Sequence, residues 1–294
     1  MLMSLLLLPT VWAMQPQGDP VQWAGNSGHL PPSSQTLLGF PKEHIIQAKE
    51  TLLDVARQYD LGFNEIGDLY PHLDPWIPPR GTKLVIPCQW VLPDESIDDG
   101  ILINVAEMRL YYRDKNSNRI ITFPIGIGDQ GAETPEGVYS IKSKTENPTW
   151  TIPASLQYKY AVASIPPGPN NPLGDYWMGL GGSHYGIHGT DIPWSVGRLV
   201  THGCIRMYPE DIAVLFKAVP VGTPVKIIYE PVKIAWSMDR LFVEVHKDIY
   251  GRVGDLMSYG YALLHAKNIV QHVDLKKYRL ALRLKNGLPV DVTR

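Results

Sequence analysis

A chain of 294 residues, 44% hydrophobic and 19% charged, carries enough apolar material for one large core or two modest ones. Its 27 basic and 29 acidic residues leave a formal net charge of −2 with no Lys/Arg stripe, so there is no footprint for nucleic acid. Two cysteines, Cys88 and Cys204, are too few for a disulfide scaffold, although a single pair can bridge in an oxidising compartment.

The chain opens on the apolar run Met1 to Ala13, which is too short to span a bilayer, for which roughly 20 apolar residues are needed. Val11 and Ala13 supply the small residues of a cleavage site, so residues 1–13 read as a signal peptide that lacks a positive n-region, and export is expected. Residues 14–40 are rich in Gln, Pro, Gly and Ser without a period and read as an extended linker.

Residues 41–88 change character. A short strand at His44 to Gln47 precedes a helix over Glu50 to Tyr59, with Thr51 as its N-cap. A second helix is expected around Asn64 to Tyr70, and Gly81 to Pro87 closes the unit as a strand. Cys88 reads as a small residue buried at the end of that strand. This βααβ order, with "TLLDVARQYDLGFNEI" and "GTKLVIP", resembles the LysM module, which implies binding to N-acetylglucosamine-containing glycan strands. Tyr70-Pro71 stands where such modules often carry Asn-Pro, and a spacer that binds nothing is the plainer reading.

Beyond an acidic hinge at Leu92 to Gly100, strand signals recur at Ile101 to Val105, Met108 to Tyr112, Ile120 to Ile127 and Gly137 to Ser143. The Pro/Gly/Asn-rich segment 147–173 has no period and is long for a connection, which suggests a lid or functional loop. Strands resume at Tyr185 to His188 and Thr223 to Tyr229, around a helix that starts near Pro209 with Glu210 and Asp211 in its first turn. Residues 231–294 mix strands with a helix at Gly260 to Asn268. The fold class is mainly β with α+β elements.

The chemistry concentrates between His188 and Arg206. Gly186-Ile187-His188-Gly189-Thr190 is followed, after a short interval, by Thr201-His202-Gly203-Cys204-Ile205-Arg206. A thiol with an unperturbed pKa of about 8.5 is only slightly ionised at neutral pH, and a partner imidazole is the common way to activate it. His188 is that partner for Cys204. Glycine beside a nucleophile lets the backbone approach a carbonyl, and free N–H groups at Gly203 and Cys204 would face the developing oxyanion. Tyr185, Trp150, Trp177 and Trp194 read as packing residues.

"IHGT" followed by "THGCIRM" resembles the signature of the YkuD-type L,D-transpeptidases, and the stretch 99–230, with "TPEGVYSI" and "NPTW", is similar to that domain along most of its length. A preceding LysM-like module and a C-terminal segment over 231–294 look like the periplasmic ErfK/YbiS-like branch of Gram-negative bacteria. The resemblance implies a YkuD-like β-sandwich and a transferase of peptidoglycan stem peptides that needs neither cofactor nor metal. Cys204 would attack the L-to-D peptide bond of a tetrapeptide and release D-alanine, and an acceptor amine would resolve the thioester. In that match His188 is the base, oriented by the carbonyl of Gly189. His202, Gly203 and Arg206 serve substrate and oxyanion, and Thr201 replaces the commoner serine. Three outcomes stay open: a cross-link to a diaminopimelate amine, attachment to the C-terminal lysine of an outer-membrane lipoprotein, or exchange and hydrolysis of the terminal D-residue, with a lean to the second.

Two rival readings stay open. A zinc peptidase or amidase would use His184, His188, His202 and Cys204 as ligands. A non-catalytic wall-binding protein would rely on residues 41–88 alone.

Overall fold

A computed structural model describes residues 36–95, 99–114 and 119–294, the side chain of Ser155 aside. The expected signal peptide, and the expected linker up to residue 35, lie outside the described residues.

The end of that linker is not linker. Leu37–Gly39 form strand β1, which pairs antiparallel with β4 (Gln89–Val91) after β2 (Lys42–Ile45), α1 (Leu52–Gln58), α2 (Phe63–Leu69) and β3 (Lys83–Ile86). The reason is Leu38, which packs both on the core around Trp90 and on the Leu102/Tyr111 cluster. Helix α1 starts where Thr51 allows it to. The Thr51 hydroxyl accepts the Asp54 N–H at 3.0 Å and the Asp54 carboxylate accepts the Thr51 N–H at 2.9 Å, a reciprocal cap. Strands β2 and β3 pair antiparallel, and Leu52, Val55, Ile66, Leu84 and Ile86 close a small core of their own.

The central part runs β5 (Gly100–Asn104), β6 (Arg109–Asp114), β7 (Arg119–Pro124), β8 (Ile127–Gly128), β9 (Gly137–Glu146), β10 (Trp150–Thr151), β11 (Ser164–Ile165), β12 (Tyr176–Leu180), β13 (Gly186–His188), β14 (Leu199–Thr201), β15 (Ile205–Arg206), α3 (Pro209–Ala218) and β16 (Pro224–Ile228). Eight of these strands form one sheet in the order β15-β13-β12-β9-β16-β5-β6-β7, parallel at β13–β15 and β16–β5 and antiparallel elsewhere. The parallel two-stranded β8–β14 pair supplies Ile127, and α3 supplies Ile212, Leu215 and Phe216, to the core that the sheet's apolar face closes. Pro209 at the first helical position, with Glu210 and Asp211 in the first turn, explains the start of α3.

Segment 147–173 has more structure than its composition announces. It folds as a β10–β11 hairpin with a 3-10 turn at 154–159. Buried Asn171 ties its base, donating to the carbonyls of Pro148 at 2.8 Å and Pro166 at 3.1 Å and accepting from the Leu173 N–H at 2.9 Å.

Residues beyond β16 build a third unit: β17 (Val232–Ser237), β18 (Arg240–Val245), α4 (Leu256–Ala266), α5 (Leu275–Leu284) and β19 (Val290–Asp291) around Ile234, Val243, Leu264, Tyr278 and Leu282. Helix α4 begins four residues before the expected Gly260, because the Asp255 carboxylate caps it by accepting the Ser258 N–H at 2.8 Å. Helix α5 lies beyond the one helix expected in residues 231–294; Asp274 caps it, and Tyr278, Ala281 and Leu282 form its buried stripe.

Buried ions join the three units. Arg109 meets Glu65 at 2.7 Å. Lys233 is paired with Glu107 and, at 2.8 Å, with Glu244.

Candidate active site

Strands β12, β13 and β15 lie side by side at one edge of the large sheet. Trp177 stands opposite His188 across β12–β13, and Ile187 and His188 pair with Ile205 and Arg206 across the parallel β13–β15 ladder. Ile187 and Ile205 are fully buried in the core, so alternation puts His188 and Arg206 on the other face. Continuing the register by one step places Cys204 beside Gly186, on the face that His188 shares. Gly186 has no side chain to spare, since a Cβ there would sit 2.5 Å from the Trp177 ring.

His188 is 3% exposed, and its Nδ1 lies 2.6 Å from the Gly189 carbonyl oxygen. A carbonyl only accepts, so Nδ1 carries the hydrogen and Nε2 of the neutral ring is left as a base. Burial first, and then the charge of Arg206, lower the His188 pKa to about 3, against the pull of the Gly189 bond. Trp177 stacks on the ring at a centroid distance of 5.7 Å and 23°.

Cys204 is a free, half-buried thiol. Burial raises its pKa, while a backbone hydrogen bond from Gly186 and the Arg206 charge act in the opposite direction. With His188 held neutral and the thiol pKa raised, the resting pair is thiol and imidazole, not thiolate and imidazolium.

The loop before Cys204 is held by its own residues. Gly203 has φ of +103°, and a Cβ there would lie 2.3 Å from the Tyr185 ring, so only glycine fits. The Thr201 hydroxyl donates to the Cys204 carbonyl at 2.6 Å and accepts the Gly203 N–H at 3.2 Å. This corrects the expectation of a free Gly203 N–H: a side chain two residues upstream already satisfies it.

Arg206 donates to Ser195 Oγ at 3.1 Å and is drawn by the charge of Asp191, and its buried Nε has no partner among the described residues. His202 and His184 are both exposed. The four residues of the zinc reading do not converge. Among the described residues, the one set of three acid or imidazole donors within 4.8 Å of one another is Glu107, Glu244 and His246, far from this motif in sequence and already holding the Lys233 ammonium. Cys88 is buried in the N-terminal unit, where desolvation pushes its thiol up to about 11.

Sequence reading took Trp177 for packing and passed over Ser195 and Asp191. The alternation Tyr176-Trp177-Met178, with Met178 fully buried in the core, was the signal that Trp177 faces the other way.

A family model for the L,D-transpeptidase catalytic domain matches residues 98–227, which contain every residue of this site. The protein named Probable L,D-transpeptidase YcfS of Escherichia coli K12 is 34% identical over 286 residues, covering 92% of this chain and 89% of its own. The chain belongs to the L,D-transpeptidase family. Two more Escherichia coli K12 relatives are similar: Probable L,D-transpeptidase ErfK/SrfK, 37% identical over 283 residues with 90% of each chain covered, and Probable L,D-transpeptidase YbiS, 42% identical over 202 residues with 66% of this chain and 65% of its own covered. As an L,D-transpeptidase, the protein is an acyl-transfer enzyme of peptidoglycan. The catalytic-domain match ends before β17, so the C-terminal unit lies outside it.

Proposed function

We propose that Cys204 is the nucleophile and His188 its general base. The observation that carries this reading is the 2.6 Å contact of His188 Nδ1 with the Gly189 carbonyl, because it leaves Nε2 unprotonated on the face where Cys204 stands. His188 takes the thiol proton as Sγ attacks the carbonyl carbon of the L-to-D peptide bond of a stem tetrapeptide. The tetrahedral intermediate collapses, its C–N bond breaks, and the leaving amine of D-alanine takes the proton from His188. An acceptor amine then attacks the thioester carbonyl carbon and passes a proton to His188; as the new amide C–N bond forms the C–S bond breaks, and the departing Cys204 sulfur takes that proton back from His188.

With the Gly203 N–H engaged by Thr201, the oxyanion is assigned to the Cys204 N–H, and Arg206 supplies positive charge beside the sulfur. Exposed His202 and the half-buried Arg206 are assigned to substrate contacts. Residues 41–88 are assigned to glycan strands, supported by the βααβ order and by exposed Trp76 and Ile77. The apolar start of the sequence supports export to the periplasm. The acceptor is assigned to the terminal lysine of an outer-membrane lipoprotein, in preference to a second diaminopimelate.

The experiment is mass spectrometry of muropeptides from purified tetrapeptide sacculi, with wild type and Cys204→Ala, with and without a lysine-ended acceptor peptide. A peptide adduct made by wild type and absent from Cys204→Ala is expected. Activity of Cys204→Ala overturns the nucleophile, and a product cross-linked through diaminopimelate in place of the adduct overturns the acceptor.

A further inference from the structure

The catalytic-domain match ends at residue 227, yet a side chain from beyond it bonds to β8, the strand paired with β14 that leads into the Cys204 loop. Tyr250 lies between β18 and α4. Its hydroxyl donates to the Gly128 carbonyl at 2.5 Å and accepts the Thr134 N–H at 3.4 Å. Gly128 stands opposite Thr201 in the parallel β8–β14 pair, and the next N–H, that of Asp129, donates to the Thr201 carbonyl at 2.9 Å. The Thr201 hydroxyl holds the Gly203 N–H and the Cys204 carbonyl. One connected run of hydrogen bonds and backbone therefore leads from Tyr250 to the backbone of the proposed nucleophile.

The start and middle of this run are anchored. The Tyr250 N–H donates to the Tyr229 hydroxyl at 3.0 Å, the two rings stack at 5.9 Å and 18°, and Tyr229 donates to Asp248 at 2.6 Å. The Arg252 guanidinium lies 5.0 Å from the Tyr250 ring centre and pairs with Glu133 and Glu136, on the loop between β8 and β9. Gly128 is packed so closely that a Cβ would sit 2.2 Å from the Ala132 carbonyl oxygen. Strand β15 is two residues long and is held on both sides, by β13 and by the antiparallel Gly126–Arg206 bridge with backbone bonds of 2.8 Å each way. The brace therefore acts on the loop before it, where Gly203, next to Cys204, has left-handed backbone.

We propose that Tyr250 is a positioning residue of the transpeptidase reaction: acting through Gly128 and Thr201, it fixes the place of Cys204 relative to His188. This rests on the reading of Cys204 as nucleophile. Misplacing a reacting atom by an ångström costs on the order of a hundredfold in rate, so a brace that holds the loop acts on turnover more than on substrate binding.

The test compares the full-length variants Tyr250→Phe and Tyr278→Phe. The first keeps the stacked ring and loses the hydroxyl. The second loses a hydroxyl of the same C-terminal unit, bonded to the Gly260 carbonyl at 2.7 Å, that takes no part in the run to Thr201. For each, kcat and KM of D-alanine release, melting temperature and the pH dependence of Cys204 alkylation by iodoacetamide are measured. Tyr250→Phe is expected to lower kcat on the order of tenfold at unchanged KM and to displace the alkylation profile. Tyr278→Phe is expected to lower the melting temperature only. Wild-type kcat in Tyr250→Phe, or equal kcat losses in both variants, overturns the proposal.

Should Tyr250→Phe fail to fold, Thr201→Val breaks the last link without touching the C-terminal unit. It must reproduce the kcat loss, with rescue by Thr201→Ser; wild-type turnover in Thr201→Val overturns the proposal equally. D-alanine release by Cys204→Ala would instead overturn the reading of the site itself, which keeps the two failures apart.

Discussion

Trp177 lies over the imidazole of His188, ring centroids 5.7 Å apart and 23° from parallel, from the position directly across the β12–β13 pair. The indole covers the ring that burial keeps neutral. Trp177→Ala is expected to admit water to His188 and to raise its pKa from about 3 towards the ordinary 6.5. D-alanine release by the variant then falls off on the acid side at a higher pH than in wild type, whose limb lies near 3, and a pH-rate profile measures it. The same truncation of a half-buried aromatic costs about 2 kcal/mol of stability, read by denaturant titration.

The Cys204/His188 pair makes a prediction about resting charge. A preformed thiolate–imidazolium pair would be alkylated by iodoacetamide at a rate independent of pH across the neutral range. Here burial raises the thiol pKa and holds the imidazole neutral, so the Cys204 alkylation rate is expected to climb only on the alkaline side of the ordinary thiol pKa. A rate already at its plateau at neutral pH contradicts this.

His188 also bears on stability. Its folded pKa is depressed below the unfolded 6.5, so its contribution is complete above 6.5 and is lost as pH falls towards 3. The slope in that window is up to about 1.4 kcal/mol per pH unit. His188→Gln is expected to remove this dependence in urea denaturation followed at several pH values.

Arg109 and Glu65, 1% and 7% exposed, pair across the boundary between the N-terminal and central units. The Trp90 indole donates to Glu65 at 2.9 Å, and the Arg109 guanidinium lies 4.1 Å from the Trp90 ring centre. Arg109→Met strands a buried carboxylate, a loss of about 3–5 kcal/mol. Chemical denaturation followed by tryptophan fluorescence is expected to show an N-terminal unit that loosens first. The double variant Arg109→Met/Glu65→Gln should recover part of the loss.

Asp211, in the first turn of α3, is 3% exposed, and burial followed by the charge of Asp60 pushes its pKa well above the usual 3.8. A group whose folded pKa is raised contributes stability that is complete below its unfolded pKa and lost as pH rises through the folded one. Asp211→Asn is therefore expected to raise the melting temperature at neutral pH and to leave it unchanged at acid pH. The opposite ordering contradicts a raised pKa.

Much of the site was legible because its chemistry is local in sequence. His188 and Gly189 are neighbours, and Thr201, Gly203 and Cys204 bond within one turn of chain, so the motif contains its own geometry. The same compactness hid one fact. Thr201 was read as a conservative replacement for serine, and no spacing rule says that its hydroxyl consumes the Gly203 N–H. Strand β1 and helix α5 were missed for a different reason. Composition suggests linker up to residue 40 and gives no separate signal for residues 275–284, whereas Leu38 and the stripe Tyr278, Ala281 and Leu282 find apolar partners only in the folded chain.

The sequence by itself determined the fold class and the family resemblance, and it singled out Cys204 and His188 as the proposed nucleophile and base, because the two side chains and the glycines around them are covalent features. Only the tertiary structure decided the protonation state of that pair, the indole over His188 and the ties from Tyr250 to the motif loop. Those depend on burial and on contacts between residues far apart in the chain. Burial is a property of what the fold places around a group, and for Cys204 and His188 it outweighs every neighbour the sequence supplies.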